Sequence, residues 1–194
     1  MTAQPKQFWT VEEYLAFERS SDIKHEYVAG DVFAMSGATA AHNIIVANII
    51  ASLHAQTRQR DCTVFPSDMR LKIVSYNSYT YPDVTVVCGE IRYEDENQDT
   101  LLNPTLIVEV LSPSTEQYDR GRKSQYYRSI PSLKEYMLVS QNEPHIEHFV
   151  RHSDYQWLFT ETFDLHSAVH LPAIGCTLAL ADVYDRALLR QSPE

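Results

Sequence analysis

The sequence predicts an α+β (mixed α/β) fold, a mixed central β-sheet flanked by helices. Three observations predict it. Ala41 to Gln59 carries Val46, Ile49, Ile50 and Leu53 at helical spacing. Thr105 to Leu111 (TLIVEVL) is β-branched and apolar on both faces, as expected of a strand covered on both sides. From Glu135 onward, β-like runs follow one another: Glu135 to Ser140, His145 to Arg151, Gln156 to Thr162 and Val169 to Leu171. At 194 residues the chain is long enough for one well-filled core, so a single domain over 1–194 is expected.

The remaining elements follow in order. Thr10-Val11-Glu12-Glu13 is a capping box, which starts a helix through about Arg19 with Val11, Tyr14, Leu15 and Phe17 toward one face. In KHEYVAGDVFAM two β-like runs flank Ala29-Gly30-Asp31, a hairpin turn. CTVFPSDMRLKIV is extended chain interrupted at Pro66-Ser67, and Ser75 to Tyr81 is rich in turn residues. Val84 to Cys88 is a short apolar strand. Gly89 to Asn103 is polar and acidic and reads as a loop. Ser112-Pro113-Ser114-Thr115 ends the TLIVEVL strand and offers N-caps to a helix running to about Ser129. A short helix, Ala181 to Leu189, closes the chain.

Composition excludes several classes. With 44% apolar and 22% charged residues the chain is not disordered. No run approaches about 18 apolar residues, so no transmembrane helix is expected, and the N-terminus lacks a secretory signal. Cys62, Cys88 and Cys176 are odd in number and far apart, and read as reduced thiols of a cytoplasmic protein. The net charge of −10 argues against a protein that coats nucleic acid. It does not exclude a nuclease, because a metal site supplies acids and Arg120, Arg122 and Arg128 make one helix locally basic. There is no GxSxG elbow, no HExxH spacing and no Gly-rich phosphate loop.

The chemistry centres on two carboxylates. Glu109 interrupts an otherwise apolar strand, and an unpaired buried charge costs several kcal/mol. It requires a basic partner, a proton or a metal. Asp83 follows Pro82 at the start of the Val84 strand, where a solvated strand-end aspartate is the plain alternative. If the two strands are neighbours, both acids converge, and with the Val110 carbonyl they offer a magnesium ion a set of oxygen ligands. Lys123 shares a helix face with Asp119 and Tyr127, which places it either in an exposed ion pair or over the same site. His42 begins the long helix on its inner face, as a core histidine or one near the site.

Tyr81-Pro82-Asp83-Val84, then Ile107-Val108-Glu109-Val110-Leu111-Ser112-Pro113-Ser114-Thr115, then Asp119-Arg120-Gly121-Arg122-Lys123 with Tyr127, resemble the PD-(D/E)xK nuclease superfamily. More closely they are similar to a widespread bacterial branch of it, catalogued as a domain of unknown function and labelled a restriction endonuclease. The resemblance extends over nearly the whole chain, from the Thr10 helix through His25 to Asp31, His42 and Lys134-Glu135-Tyr136. It implies a restriction-endonuclease-like core, with Asp83 and Glu109 as metal-binding acids and Mg2+ or Mn2+ as the cofactor. It also implies an acid from the N-terminal region near the site, here Glu26. The lysine usual two residues after the glutamate is Leu111 in this chain, and Lys123 on the following helix is its substitute. The implied activity is endonucleolytic hydrolysis of DNA. Tyr155, Trp157 and Phe159 in the strand-rich C-terminal half are aromatic positions that read either as core or as the surface of a homodimer, which would suit cutting both strands of a duplex. The alternatives are a catalytically silent DNA-binding or protein-interaction domain on the same fold, and a hydrolase of another phosphate ester.

Overall fold

The computed structural model describes residues 8–187. The capping box forms as expected: Glu13 N–H donates to Thr10 Oγ1 at 3.2 Å and Thr10 N–H to Glu13 Oε2 at 2.8 Å, opening α1 (Val11–Glu18). The hairpin β1 (His25–Val28) and β2 (Asp31–Ala34) turns at Ala29 and Gly30, both at positive φ (48° and 102°), the left-handed geometry of a two-residue hairpin turn. Next comes α2 (Ala40–Thr57), which buries Ile45, Ile49 and Leu53. Then follow β3 (Cys62–Pro66), β4 (Arg70–Ile73), β5 (Ser78–Thr80), β6 (Val84–Cys88), β7 (Thr100–Leu101) and β8 (Leu106–Leu111).

The expected helix after β8 is divided. It comprises α3 (Glu116–Tyr118), a π-helical turn over Asp119–Lys123, and α4 (Ser124–Arg128). Ser124 N–H reaches back five residues to the Asp119 carbonyl, which is the bond of the wider turn. The chain closes with β9 (Glu135–Ser140), β10 (Ile146–Ser153), β11 (Gln156–Thr162), β12 (Ala168–Leu171), β13 (Cys176–Ala179) and α5 (Leu180–Val183). Residues 188 and 189, expected in the last helix, lie outside the described residues.

A six-stranded sheet, ordered β11-β10-β9-β8-β6-β3, forms the centre. It is mixed: β8 and β9 run parallel, and the other pairs are antiparallel. The parallel pair needs a crossover, and the segment from α3 to α4 supplies it. Strand β8 alternates faces. Leu106, Val108 and Val110 pack in the core that contains α2 and α5, while Ile107 and Leu111 pack with Tyr127, Leu133 and Tyr136 on the opposite face. A second sheet, β2-β1-β5-β4-β7, contributes Leu71, Ile73 and Leu101 to that opposite core. No helix among the described residues is long and apolar enough to cross a membrane.

Two expectations are corrected. Cys62 and Cys88 are disulfide-bonded, and only Cys176 is free and buried. The two are register partners across β3 and β6. Cys88 N–H donates away from β3, to Thr105 Oγ1 at 3.0 Å, so the cysteines form a non-hydrogen-bonded pair, the position where opposed side chains come closest. Sequence separation conceals this because only pairing register sets it. The second correction concerns 89–103. The segment holds β7 and is tied to the N-terminal layer, because Arg19 meets Asp95 and Asp99 at 2.7 and 2.8 Å and Arg70 meets Asp99 at 2.9 Å.

Candidate metal centre

The strands carrying Asp83 and Glu109 are neighbours. β6 and β8 pair antiparallel with Val84 opposite Val108 and Val86 opposite Leu106. Asp83 stands one residue before β6, so its carboxylate meets β8 just past the last ladder pair. There Asp83 Oδ2 accepts the Val110 N–H at 2.7 Å. Continuing the register sets Pro82 opposite Val110. Proline has no N–H, so the ladder offers no donor to the Val110 carbonyl at that position. That carbonyl points along the same side of β8 as its N–H, toward Asp83.

Glu109 lies on the opposite-core face of β8 and is 4% exposed. Its Oε1 accepts the Tyr127 hydroxyl at 2.6 Å and faces Lys123 Nζ at 3.0 Å. Lys123 is buried and meets Glu26 Oε1 at 3.0 Å and Asp119 Oδ1 at 3.6 Å. Asp119 and Lys123, the two ends of the π turn, stand four apart on one face, toward Glu109 of β8. Glu26 reaches in from β1, whose partner β5 leads through Tyr81 and Pro82 to Asp83. The structure therefore brings Glu26, Glu109 and Lys123 into direct contact, with Asp83 seated on the β8 main chain beside them.

The electrostatics are unbalanced toward negative charge. Three carboxylates, those of Glu26, Glu109 and Asp119, surround one lysine. Burial pushes the Glu109 carboxyl up, Lys123 pulls it down, and Asp83 and Asp119 push it up again, to about 8. Burial likewise raises the Asp119 carboxyl against the pull of Lys123. Burial works against the Lys123 ammonium, but Glu109 and Glu26 outweigh it and hold the group well above the usual lysine range.

These residues fit a hard divalent cation. The donor set is oxygen-rich, as magnesium and manganese prefer. Glu26 Oε1 is buried and makes no hydrogen bond, its ion pair to Lys123 falling outside hydrogen-bond geometry. Burial, reinforced by Asp83 and Asp119, holds the Glu109 carboxyl well above the ordinary range, and a cation would offset the negative charge gathered there.

The sequence offered His42 either as a core histidine or as one near the site, and Tyr127 as a face partner of Lys123. His42 Nε2 lies 3.2 Å from Asp83 Oδ2, and its Nδ1 is buried without a hydrogen-bond partner. The first turn of α2 places it there, with Thr39 Oγ1 capping the His42 N–H at 3.1 Å. Asp119 is a fourth acid, read from the sequence only as a pairing partner for Lys123. Its signal was the shared spacing of Asp119, Lys123 and Tyr127. Arg120 is taken up by ion pairs to Glu116 and Glu147.

A mixed sheet thus carries clustered acids where β6 and β8 adjoin, with a lysine held over them by the crossover segment. Residues 11–181 match the family model described as "Uma2: Putative restriction endonuclease", and the chain belongs to that family. Two relatives from Synechocystis sp. are similar over most of their length. "Uncharacterized protein sll1609" is 40% identical over 78% of this chain and 86% of its own. "Uncharacterized protein slr1290" is 35% identical over 89% of this chain and 90% of its own. The crystal structure of "a putative nuclease belonging to DUF820" from Anabaena variabilis superposes with a TM-score of 0.76 at 17% identity. It covers 93% of this chain and 99% of that one, so the two share a fold.

Proposed function

We propose that the protein is a metal-dependent endonuclease that hydrolyses phosphodiester bonds of DNA. One observation carries the reading: the carboxylates of Glu26, Glu109 and Asp119 crowd a single buried lysine, and Asp83 is fixed to the backbone of the Glu109 strand. Asp83, Glu109, Glu26 and the Val110 carbonyl would hold Mg2+ or Mn2+. The ion would polarise the scissile phosphate and lower the pKa of a bound water. Lys123 offers an ammonium that stays charged across the physiological range, suited to steadying negative charge that develops on the phosphate. Tyr127 fixes the Glu109 carboxyl through its hydroxyl, and His42 with the Val110 N–H fixes that of Asp83. A homodimer would bring one such site to each strand of a duplex.

A second reading is favoured by the engagement of Lys123. Its ammonium is already committed to Glu26 and Glu109, and the chain carries −10 overall. A catalytically silent DNA-binding or protein-interaction domain would keep these contacts. Nicking of supercoiled plasmid with Mn2+ or Mg2+ separates the two. Activity in the wild type that is lost in Asp83→Ala and Glu109→Ala supports the endonuclease. Equal activity in all three proteins refutes this site. No activity in any protein, together with no metal binding by calorimetry, favours the silent domain.

A further inference from the structure

Strand β11 is one edge of the six-stranded sheet, and it carries little of the protection that edges usually have. Among the described residues eight large apolar side chains are exposed, and four of them, Tyr155, Leu158, Phe159 and Phe163, lie on this strand or within one residue of it. Tyr155 is 96% exposed and Leu158 61%. The strand holds no proline and one charge, Glu161. Long apolar edges of this kind are templates for pairing with another chain.

The ladder identifies which backbone groups are available. Ser140 N–H donates to the His145 carbonyl at 2.9 Å, so residues 145, 147 and 149 direct their polar groups toward β9. Residues 146, 148 and 150 then face β11, opposite Thr162, Thr160 and Leu158. By alternation Trp157, Phe159 and Glu161 turn their N–H and C=O groups outward.

We propose that β11 pairs antiparallel with β11 of a second copy of this chain, about a two-fold axis at Phe159. Phe159 is the centre of Gln156–Thr162, so this register is self-complementary. It makes Phe159 its own partner through two backbone hydrogen bonds, and Trp157 and Glu161 exchange the rest. On the same face the exposed Tyr155 meets Phe163 of the second copy, an aromatic pair on each side of the axis. Glu161 keeps its own partner, His145 Nε2 at 3.1 Å, and stands beside Trp157 of the second copy. The pairing specifies a surface for the dimer proposed above and is independent of the chemistry at Asp83 and Glu109.

Sedimentation velocity over a range of protein concentrations tests it. The wild type is expected at twice the chain mass. Phe159→Lys sets two ammonium groups face to face at the axis, and Phe159→Pro deletes an outward N–H that the β10 ladder does not use. Both are expected at the mass of one chain, with unchanged far-ultraviolet circular dichroism. Hydrogen exchange on the wild type supplies a check that needs no variant. The amides of Trp157, Phe159 and Glu161 should become protected as concentration rises. A wild type at one chain mass throughout, or a dimer that persists in both folded variants, or outward amides that stay unprotected in the dimer, overturns the proposal. Plasmid nicking read in parallel separates the two hypotheses. A dimer without nicking refutes only the endonuclease, and a nicking monomer refutes only this interface.

Discussion

The Val110 N–H donates to Asp83 Oδ2 at 2.7 Å, so the carboxylate of one acid rests on the main chain of the strand that carries the other. This contact constrains the choice of variant. Asn at position 83 retains an oxygen to accept the Val110 N–H but removes the negative charge. Asp83→Asn is therefore expected to fold with a melting temperature close to wild type and to lose metal affinity by about 100-fold or more, since even indirect support of a ligand is worth about 10–100-fold. Calorimetry with Mn2+ checks this. Wild-type affinity in the variant would remove Asp83 from the ligand set.

Lys123 is the only cation in contact with Glu26, Glu109 and Asp119 among the described residues. Removing one partner of a buried ion pair costs about 3–5 kcal/mol because the other charge is stranded. Lys123→Met should destabilise the metal-free protein by about that amount in urea denaturation. Adding Glu26→Gln to it should restore part of the loss. Additive losses in the double variant would show that the two side chains are not coupled.

The pH dependence of the metal-free protein follows from Glu109, whose carboxyl rises from 4.5 to about 8 on folding. Between those values the native state holds its proton more firmly than the unfolded chain does. The contribution is complete below 4.5 and is lost as pH climbs through about 8. Stability is thus expected to decline with rising pH across this window, and Glu109→Gln should flatten the decline. Metal binding should show the opposite trend, because the ion competes with one proton: affinity rises about tenfold per pH unit within the window. Titrations at several pH values with both proteins check the sign. A metal affinity independent of pH would exclude Glu109 as a protonated ligand group.

Alkylation of the denatured protein without reductant should label only Cys176, and all three cysteines after reduction. The bond closes a segment with a sequence separation of 26, for which chain entropy alone suggests about 3.5 kcal/mol of stability. Cys62→Ser should lower stability by about that much and leave the candidate metal centre intact. Labelling of three cysteines before reduction would refute the bond.

His42 offers a milder probe. Its Nε2 supports Asp83 at 3.2 Å. His42→Ala is expected to weaken Mn2+ binding about 10–100-fold with the fold intact, and His42→Gln to recover part of it. Calorimetry on both decides between this role and a purely packed histidine, for which neither variant would change metal affinity.

Much of the architecture was legible because periodicity and local chemistry agree there. The capping box at Thr10, the apolar stripe of α2 and the two-sided strand β8 each state their own structure. Glu109 stood out because a carboxylate in TLIVEVL has few stable environments. What was not legible depends on register between distant segments. The facing of Cys62 and Cys88 needs the β3–β6 ladder. The missed strands β5 and β13 are only 3 and 4 residues long, and Ser78 to Thr80 reads as turn-rich chain until β1 and β4 flank it. The contacts of Glu26 and His42 depend on how β1 and α2 meet the central sheet, which no local spacing encodes. The division of the crossover helix was also hidden, since Asp119 and Lys123 share a face in either winding.

That division leaves an imprint on which changes the gene can tolerate. An α-helix turns about 100° per residue, and the wide turn over Asp119–Lys123 accommodates one residue more than a regular turn would. Deleting Gly121 or Arg122 would let the turn close to plain α-helix while the segments on either side keep their phase, so Lys123 would still face Glu109. A further residue added there has no such slack to use and would rotate one side against the other by about 100°. Single-residue deletions at the exposed Gly121 and Arg122 should therefore be better tolerated than insertions, and a single-codon scan of both kinds across the crossover would locate this boundary.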